Sequence, residues 1–229
     1  MEHREIEIAP GVSVPSVWSS PAAGRNSPSP CLVLAPGAGA GMHHPFLSFI
    51  HETLSHQGIT TVKFDFPYRA AGRNRPDPPL LLLAAWRGVL ARVRAELAPA
   101  PVFVGGRSMG GRIASMLLAE GESAAGLVLL AYPLQPAGKP EVLRSAHLPR
   151  VSCPILFVQG TRDALCDLDQ LRPAIRGLQV PVRLALIDGA DHSFKVPRSL
   201  NRGERAVWQE IAQIVAEWLT APEVRRCTV

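Results

Sequence analysis

Six short, mostly apolar runs set the strongest limit on how this chain can fold. They read CLVLAPG (31–37), TTVKFDF (60–66), PVFVGG (101–106), GLVLLAY (126–132), PILFVQG (154–160) and VRLALIDG (182–189), and helical patterns separate most of them. A strand solvated on one face alternates apolar and polar residues, whereas a nearly continuous apolar run suits a strand covered on both faces. Such strands belong to a mostly parallel sheet with helices on each side, the doubly wound α/β arrangement. The connecting helices are expected over 44–57, 80–97, 109–119, 167–176 and 204–219, where apolar residues recur at steps of three and four, as in Leu83, Trp86, Leu90, Val93 and Leu97. Ahead of the first run, REIEI (4–8) and VSVPSVW (12–18) alternate about the turn APG (9–11), which predicts an antiparallel hairpin. A Pro/Ser/Gly connector ends this part near residue 30. No repeat or linker divides the 229 residues, so the chain reads as one domain, with 1–30 as hairpin and connector and 220–229 as a disordered tail.

The stretch VFVGGRSMGGRIAS (102–115) puts Gly106-Arg107-Ser108-Met109-Gly110 between a predicted strand and a predicted helix. In that setting G-x-S-x-G is a sharp elbow that lifts the serine hydroxyl out of the sheet, and small neighbours leave it room. A serine hydroxyl is a weak nucleophile until a base takes its proton, so a histidine and an orienting acid must exist. In this architecture they follow in the order Ser, acid, His. Of the seven histidines only His147 and His192 come after Ser108, and no aspartate separates Ser108 from His147. His192 is therefore the candidate base, on a loop just beyond the last apolar run. Asp163, three residues past the run PILFVQG, is the candidate acid, with Asp167 as its competitor and Asp191 read as a turn residue. Oxyanion stabilisation calls for two backbone donors. Met109 heads a helix, and Ala38 lies in the Gly-rich loop APGAGAG (35–41) after the first parallel strand.

Composition narrows the function further. With 47% apolar residues a sizeable core is available, and the net charge of +5 is scattered without a long basic run, which gives no nucleic-acid signature. The longest aliphatic stretch, LLLLAAW (80–86), is far short of the roughly 20 residues of a membrane span. The charged start MEHRE lacks the apolar core of a signal peptide, and the four cysteines form no CxxC pair, so a cytoplasmic protein without membrane partners is expected. APGAGAG lacks the patterns of a nucleotide-phosphate cradle, and His43 and His44 lack ligand-spaced partners, so neither cofactor nor metal is expected and both histidines are assigned loop or helix-cap roles. Arg69 and Arg73, on the loop 67–79, and Arg107, beside the serine, form a candidate anion-recognising rim for the substrate. The plainer alternative is solvated or core-bridging arginines.

Taken in order, APGAGAG, GGRSMGG and GTRD followed by GADHSF resemble the α/β-hydrolase superfamily. The likeness is closest to its small lidless, dienelactone-hydrolase-like members, and FDFPYRAAGRNRPDPP and YPLQPAGKPEVLRSAHLP look like that group's connecting loops. The resemblance runs from Cys31 to Trp218 and implies an esterase-type triad of Ser108, His192 and Asp163 acting on a small-molecule ester. Two departures stand out: Pro36-Gly37 replaces the His-Gly of many relatives, and Ser108 stands where true dienelactone hydrolases use cysteine. Some relatives are scaffold subunits, so the alternative function is a non-catalytic interaction protein. The segment from Pro133 to Ser152 is too short for a cap domain, so an open site is expected.

Overall fold

Each of the six apolar runs forms a strand in the computed structural model, which describes residues 1–21, 29–222 and 224. The strands are β1 (Glu2–Ala9), β2 (Val12–Ser19), β3 (Cys31–Ala35), β4 (Thr60–Phe64), β5 (Val102–Arg107), β6 (Gly126–Leu130), β7 (Ile155–Gly160) and β8 (Val182–Ile187). They make one sheet in the order β1-β2-β4-β3-β5-β6-β7-β8. The hairpin β1/β2 joins it antiparallel through β4, and the remaining neighbours are parallel.

The helices are α1 (Pro45–His56), α2 (Pro67–Ala70), α3 (Pro79–Leu97), α4 (Met109–Ala119), α5 (Leu168–Arg176) and α6 (Glu204–Thr220). Proline opens α1, α2 and α3, where its missing N–H is no loss. The two faces of the sheet carry separate cores. In β3, Cys31, Val33 and Ala35 point into one, with Trp86, Leu90, Ile113 and Leu117 of α3 and α4. Leu32 and Leu34 point into the other, with Phe46 and Leu54 of α1 and Trp208 and Ile211 of α6. Alternate side chains leave a strand on opposite faces, so β3, buried on both, is apolar throughout, whereas the edge strand β8 is part-buried and carries the exposed Arg183.

Two aspects of this topology set up a site. The chain leaves β3 through α1 toward β4 on one side and leaves β5 through α4 toward β6 on the other. Neighbouring strands whose connections diverge leave a crevice at their carboxyl ends, which is where open α/β sheets bind ligands. In addition, only a one-turn 3-10 helix (Leu148–Arg150) lies between β6 and β7, so no cap domain covers the crevice.

The expected connector falls partly, and the expected tail largely, outside the described residues. Within them, helix α6 runs on to Thr220, and Val224 is buried against the α1/α6 core. Among the described residues, no helix is long and apolar enough to cross a membrane. Cys31, Cys153 and Cys166 are free and buried.

Candidate active site

Strand β5 ends at Arg107 and α4 begins at Met109, which leaves Ser108 alone at the turn with φ 49° and ψ −115°. A non-glycine residue held there costs on the order of 1–3 kcal/mol. Backbone bonds on both sides impose it: the Ser108 N–H donates to the Leu130 carbonyl (2.8 Å), and its own carbonyl accepts from Arg112 N–H (3.0 Å). A serine at a helix N-cap ordinarily turns its oxygen onto the first free N–H groups. Ser108 makes no such bond, and its Oγ lies instead 2.9 Å from His192 Nε2. The other ring nitrogen, Nδ1, is 2.8 Å from Asp163 Oδ2. A carboxylate only accepts, so Nδ1 carries the ring proton, Nε2 offers its lone pair, and the serine hydroxyl donates to it.

The four glycines around the elbow are each required by a close backbone approach. A Cβ on Gly105 would fall 2.2 Å from the Val128 carbonyl oxygen, and one on Gly106 or Gly110 would fall 2.3 Å from that of Ala35. One on Gly111 would fall 2.7 Å from the Gly106 carbonyl. Gly110→Ala makes a test in which two effects oppose each other. Helix propensity alone favours alanine by about 1 kcal/mol, whereas forcing α4 off the end of β3 costs about 1–3 kcal/mol or more. The clash is expected to win, and a denaturation midpoint at or above wild type would show that it does not.

Asp163 and His192 are held by groups that carry no motif. The Asp163 side chain is 0% exposed and that of His192 22%, so the carboxylate is dry while the imidazole reaches solvent. Asp163 Oδ1 accepts Leu165 N–H (2.8 Å), and Oδ2 accepts Gln159 Nε2 (2.5 Å) as well as His192. Gln159, fully buried at the end of β7, is tied in turn by Tyr132 N–H donating to its Oε1. The competitor Asp167 caps α5, accepting from Asp169 N–H at 2.9 Å. Asp191 accepts the N–H groups of Ser193 and Lys195, closing a turn. That turn is pinned by Phe194, which adopts φ 58°, is buried, and packs its ring 5.1 Å from that of Phe46.

A second Ser–His contact exists, Ser115 Oγ to His147 Nε2 at 2.7 Å. Ser115 is fully buried in α4, and its hydroxyl proton goes to the Arg112 carbonyl (2.7 Å). It therefore accepts from His147 Nε2–H, and a histidine that presents a proton cannot act as base toward that serine. The pair is structural.

The loop after β3 lies against the elbow, since a Cβ on Gly37 would fall 3.6 Å from Ser108 Cβ. Next to it, Ala38 is exposed. Among the described residues, the N–H groups of Ala38 and Met109 donate to no carbonyl or side chain. Two side chains shape this loop from below. Tyr68 Oη accepts Gly39 N–H (3.3 Å), and Asp65 Oδ1 accepts Met42 N–H (2.7 Å). Burial raises both the Tyr68 phenol and the Asp65 carboxyl above their usual pKa ranges, and their backbone donors counteract part of this. His43 is exposed, while His44 occupies the N-cap position of α1 without a side-chain cap bond.

Arg69, Arg73 and Arg107 all have partners within the protein. Arg69 donates to the Arg73 carbonyl (3.1 Å) and to Asn74 Oδ1, and Arg73 pairs with the buried Asp77 (2.8 Å). Arg107 reaches the other way, to the His192 carbonyl (3.4 Å) and Ser193 Oγ (3.3 Å). Burial lowers its guanidinium from the ordinary value, and the Asp163 and Asp191 carboxylates counteract that. Because the first two arginines brace their own loop, Arg69→Ala and Arg73→Ala are each expected to change turnover of neutral and carboxylate-bearing esters by the same factor. A loss confined to the carboxylate esters would place the arginines at the substrate.

A family model described as an alpha/beta hydrolase domain matches residues 28–220. Among solved structures, a dienelactone hydrolase from Anabaena variabilis is similar at 22% identity, with 95% of each chain covered and a TM-score of 0.73. An alpha-beta serine hydrolase homologue from Coxiella burnetii is similar at 18% identity, over 94% of this chain and 96% of that one, with a TM-score of 0.72. A lidless a/b serine hydrolase from Xanthomonas campestris is 19% identical over 96% of this chain and 95% of its own, with a TM-score of 0.70.

Proposed function

The chain belongs to the alpha/beta hydrolase family, and from that premise we propose that it is a serine-dependent hydrolase of carboxylic esters or thioesters working through an acyl-enzyme. The observation that carries this reading is the continuous relay from Ser108 Oγ through His192 to Asp163 Oδ2, at 2.9 and 2.8 Å. A strained serine that forgoes its helix cap to donate to a histidine is an arrangement that structure alone does not need.

In the proposed reaction, Ser108 Oγ bonds to the substrate carbonyl carbon as its proton passes to His192 Nε2. Asp163 holds the imidazolium so formed, and the oxyanion is met by the free N–H groups of Ala38 and Met109, the second aided by the positive end of α4. The imidazolium then gives its proton to the departing alkoxide or thiolate. Water, losing a proton to Nε2, attacks the acyl carbon; the bond to Oγ breaks, and Oγ takes that proton back as the acid leaves. Arg107, bonded to the His192 carbonyl, helps fix the loop that carries the base. With no cap over the crevice, short or accessible acyl groups fit this site better than buried long chains.

Intact mass after exposure to a fluorophosphonate probe tests the reading. One adduct per chain, mapped to Ser108, is the expected result. Correctly folded protein that stays unlabelled would favour a non-catalytic interaction role instead.

A further inference from the structure

Away from Ser108, the flank of α4 and the segment after Val142 form a recess of about 170 Å³ whose lining includes Arg112, Met116, Glu120, Arg144, His147 and Arg150. Among the described residues none of the three arginines has a carboxylate partner, and Glu120 is engaged by Arg87. The Arg112 guanidinium donates to Met116 Sδ (3.2 Å), and Arg150 Nε donates to the Ala119 carbonyl (3.2 Å). Arg112 and Arg144 are half-buried and close enough that, after burial, the Arg144 charge is what most lowers the Arg112 guanidinium from its ordinary value. Burial, Arg112 and Arg150 together push His147 down to about 4. Surface arginines normally pair or stay apart. Grouping them in a half-dry recess destabilises the empty protein, and a multiply charged anion would offset that.

The histidine narrows the class of anion. Its Nε2–H is committed to Ser115, so Nδ1 is an unprotonated acceptor beside three arginine donors, in a lining whose carboxylate, Glu120, is already engaged by Arg87. Planar guanidinium forks suit phosphate oxygens, and a neutral nitrogen acceptor suits a phosphate oxygen that still carries a proton. The volume is below the roughly 300–1,000 Å³ of sites that enclose a whole drug-sized ligand, so it matches a head group.

We propose that this recess is a phosphate site, taking inorganic phosphate or the phosphoryl group of a monoester through Arg112, Arg144 and Arg150. It is independent of the hydrolase chemistry, although α4 joins the two: the Arg112 N–H bonds the Ser108 carbonyl, one turn away.

Calorimetric titration of the full chain with inorganic phosphate, glycerol 3-phosphate and succinate, at physiological ionic strength, tests it. Saturable single-site binding of one of the two phosphates is expected, and the tighter of them identifies the source. Arg112→Gln, Arg144→Gln and Arg150→Gln should each weaken it about tenfold or more, while Ser108→Ala leaves it unchanged. Arg150 is exposed, so its variant keeps the measurement meaningful if the half-buried ones misfold. Three results would each overturn the proposal: no saturable phosphate binding, binding undiminished in all folded arginine variants, or succinate binding as tightly as phosphate.

Discussion

Ser108→Ala is expected to lower kcat on a short p-nitrophenyl ester by about 10⁶-fold, the scale on which a triad loses its nucleophile. The loss should be chemical rather than structural. Alanine keeps the Cβ and therefore meets the same strain at φ 49°, the backbone bonds to Leu130 and Arg112 remain, and no helix cap is lost because Ser108 provides none. The companion variant Ser115→Ala should behave oppositely. It removes the acceptor of His147 Nε2–H and the donor to the Arg112 carbonyl inside a buried contact, which costs about 1–3 kcal/mol of stability, but turnover should stay near wild type. If Ser108→Ala kept more than a tenth of the activity, or Ser115→Ala lost it while folded, the nucleophile assignment would fail.

What could be read in advance followed from chemistry that is local along the chain. Five strands show as apolar runs because they are buried on both faces, β8 shows as one although it is the part-exposed edge strand, and the five longer helices show through their periodicity. Helix α2, four residues over Pro67–Ala70, is too short for any period to register. Ser108, Asp163 and His192 could be nominated because the elbow has a fixed spacing and because few histidines and aspartates follow it in the required order. The groups that hold them could not. Gln159 sits inside the run PILFVQG and looks like a strand residue; its role exists only because β7 ends beside Asp163 and Tyr132. Tyr68 and Asp65 act across space on a loop some 25 residues earlier in the chain. Arg107, adjacent to the serine, is a candidate substrate contact from its position in the sequence, but its bond to the His192 loop, 85 residues away in sequence, has no local signal. Phe194 has the φ of a glycine position with no glycine to mark it. Each of these depends on where a distant segment arrives, which no single stretch of sequence encodes.

The proposed acid gives the second large effect: Asp163→Asn is expected to lower kcat by about 10⁴-fold while the chain remains folded. The size follows from hydrogen-bond polarity. Asp163 Oδ2 accepts from two donors at once, His192 Nδ1–H and Gln159 Nε2–H, and Oδ1 accepts from Leu165 N–H. In asparagine the oxygen is best kept toward Leu165, which turns the amide NH₂ toward two donors. Gln159 cannot simply rotate to offer its oxygen, because Oε1 already holds Tyr132 N–H. His192 must therefore place its lone pair on Nδ1 and its proton on Nε2, where it faces the Ser108 hydroxyl as a donor and can no longer take the proton. The fold should lose about 1–3 kcal/mol for the crowded donors. Asp167→Asn should be nearly silent by comparison, since asparagine caps a helix about as well as aspartate. Turnover of the same ester by the two variants, each checked for a native circular dichroism spectrum, separates the assignments: a loss under tenfold in Asp163→Asn, or a large one in Asp167→Asn, would move the acid away from Asp163. A double variant Asp163→Asn/Gln159→Glu supplies an acceptor to the stranded amide, so it should recover stability. It should not recover turnover, because the asparagine amide would still face His192 with a proton.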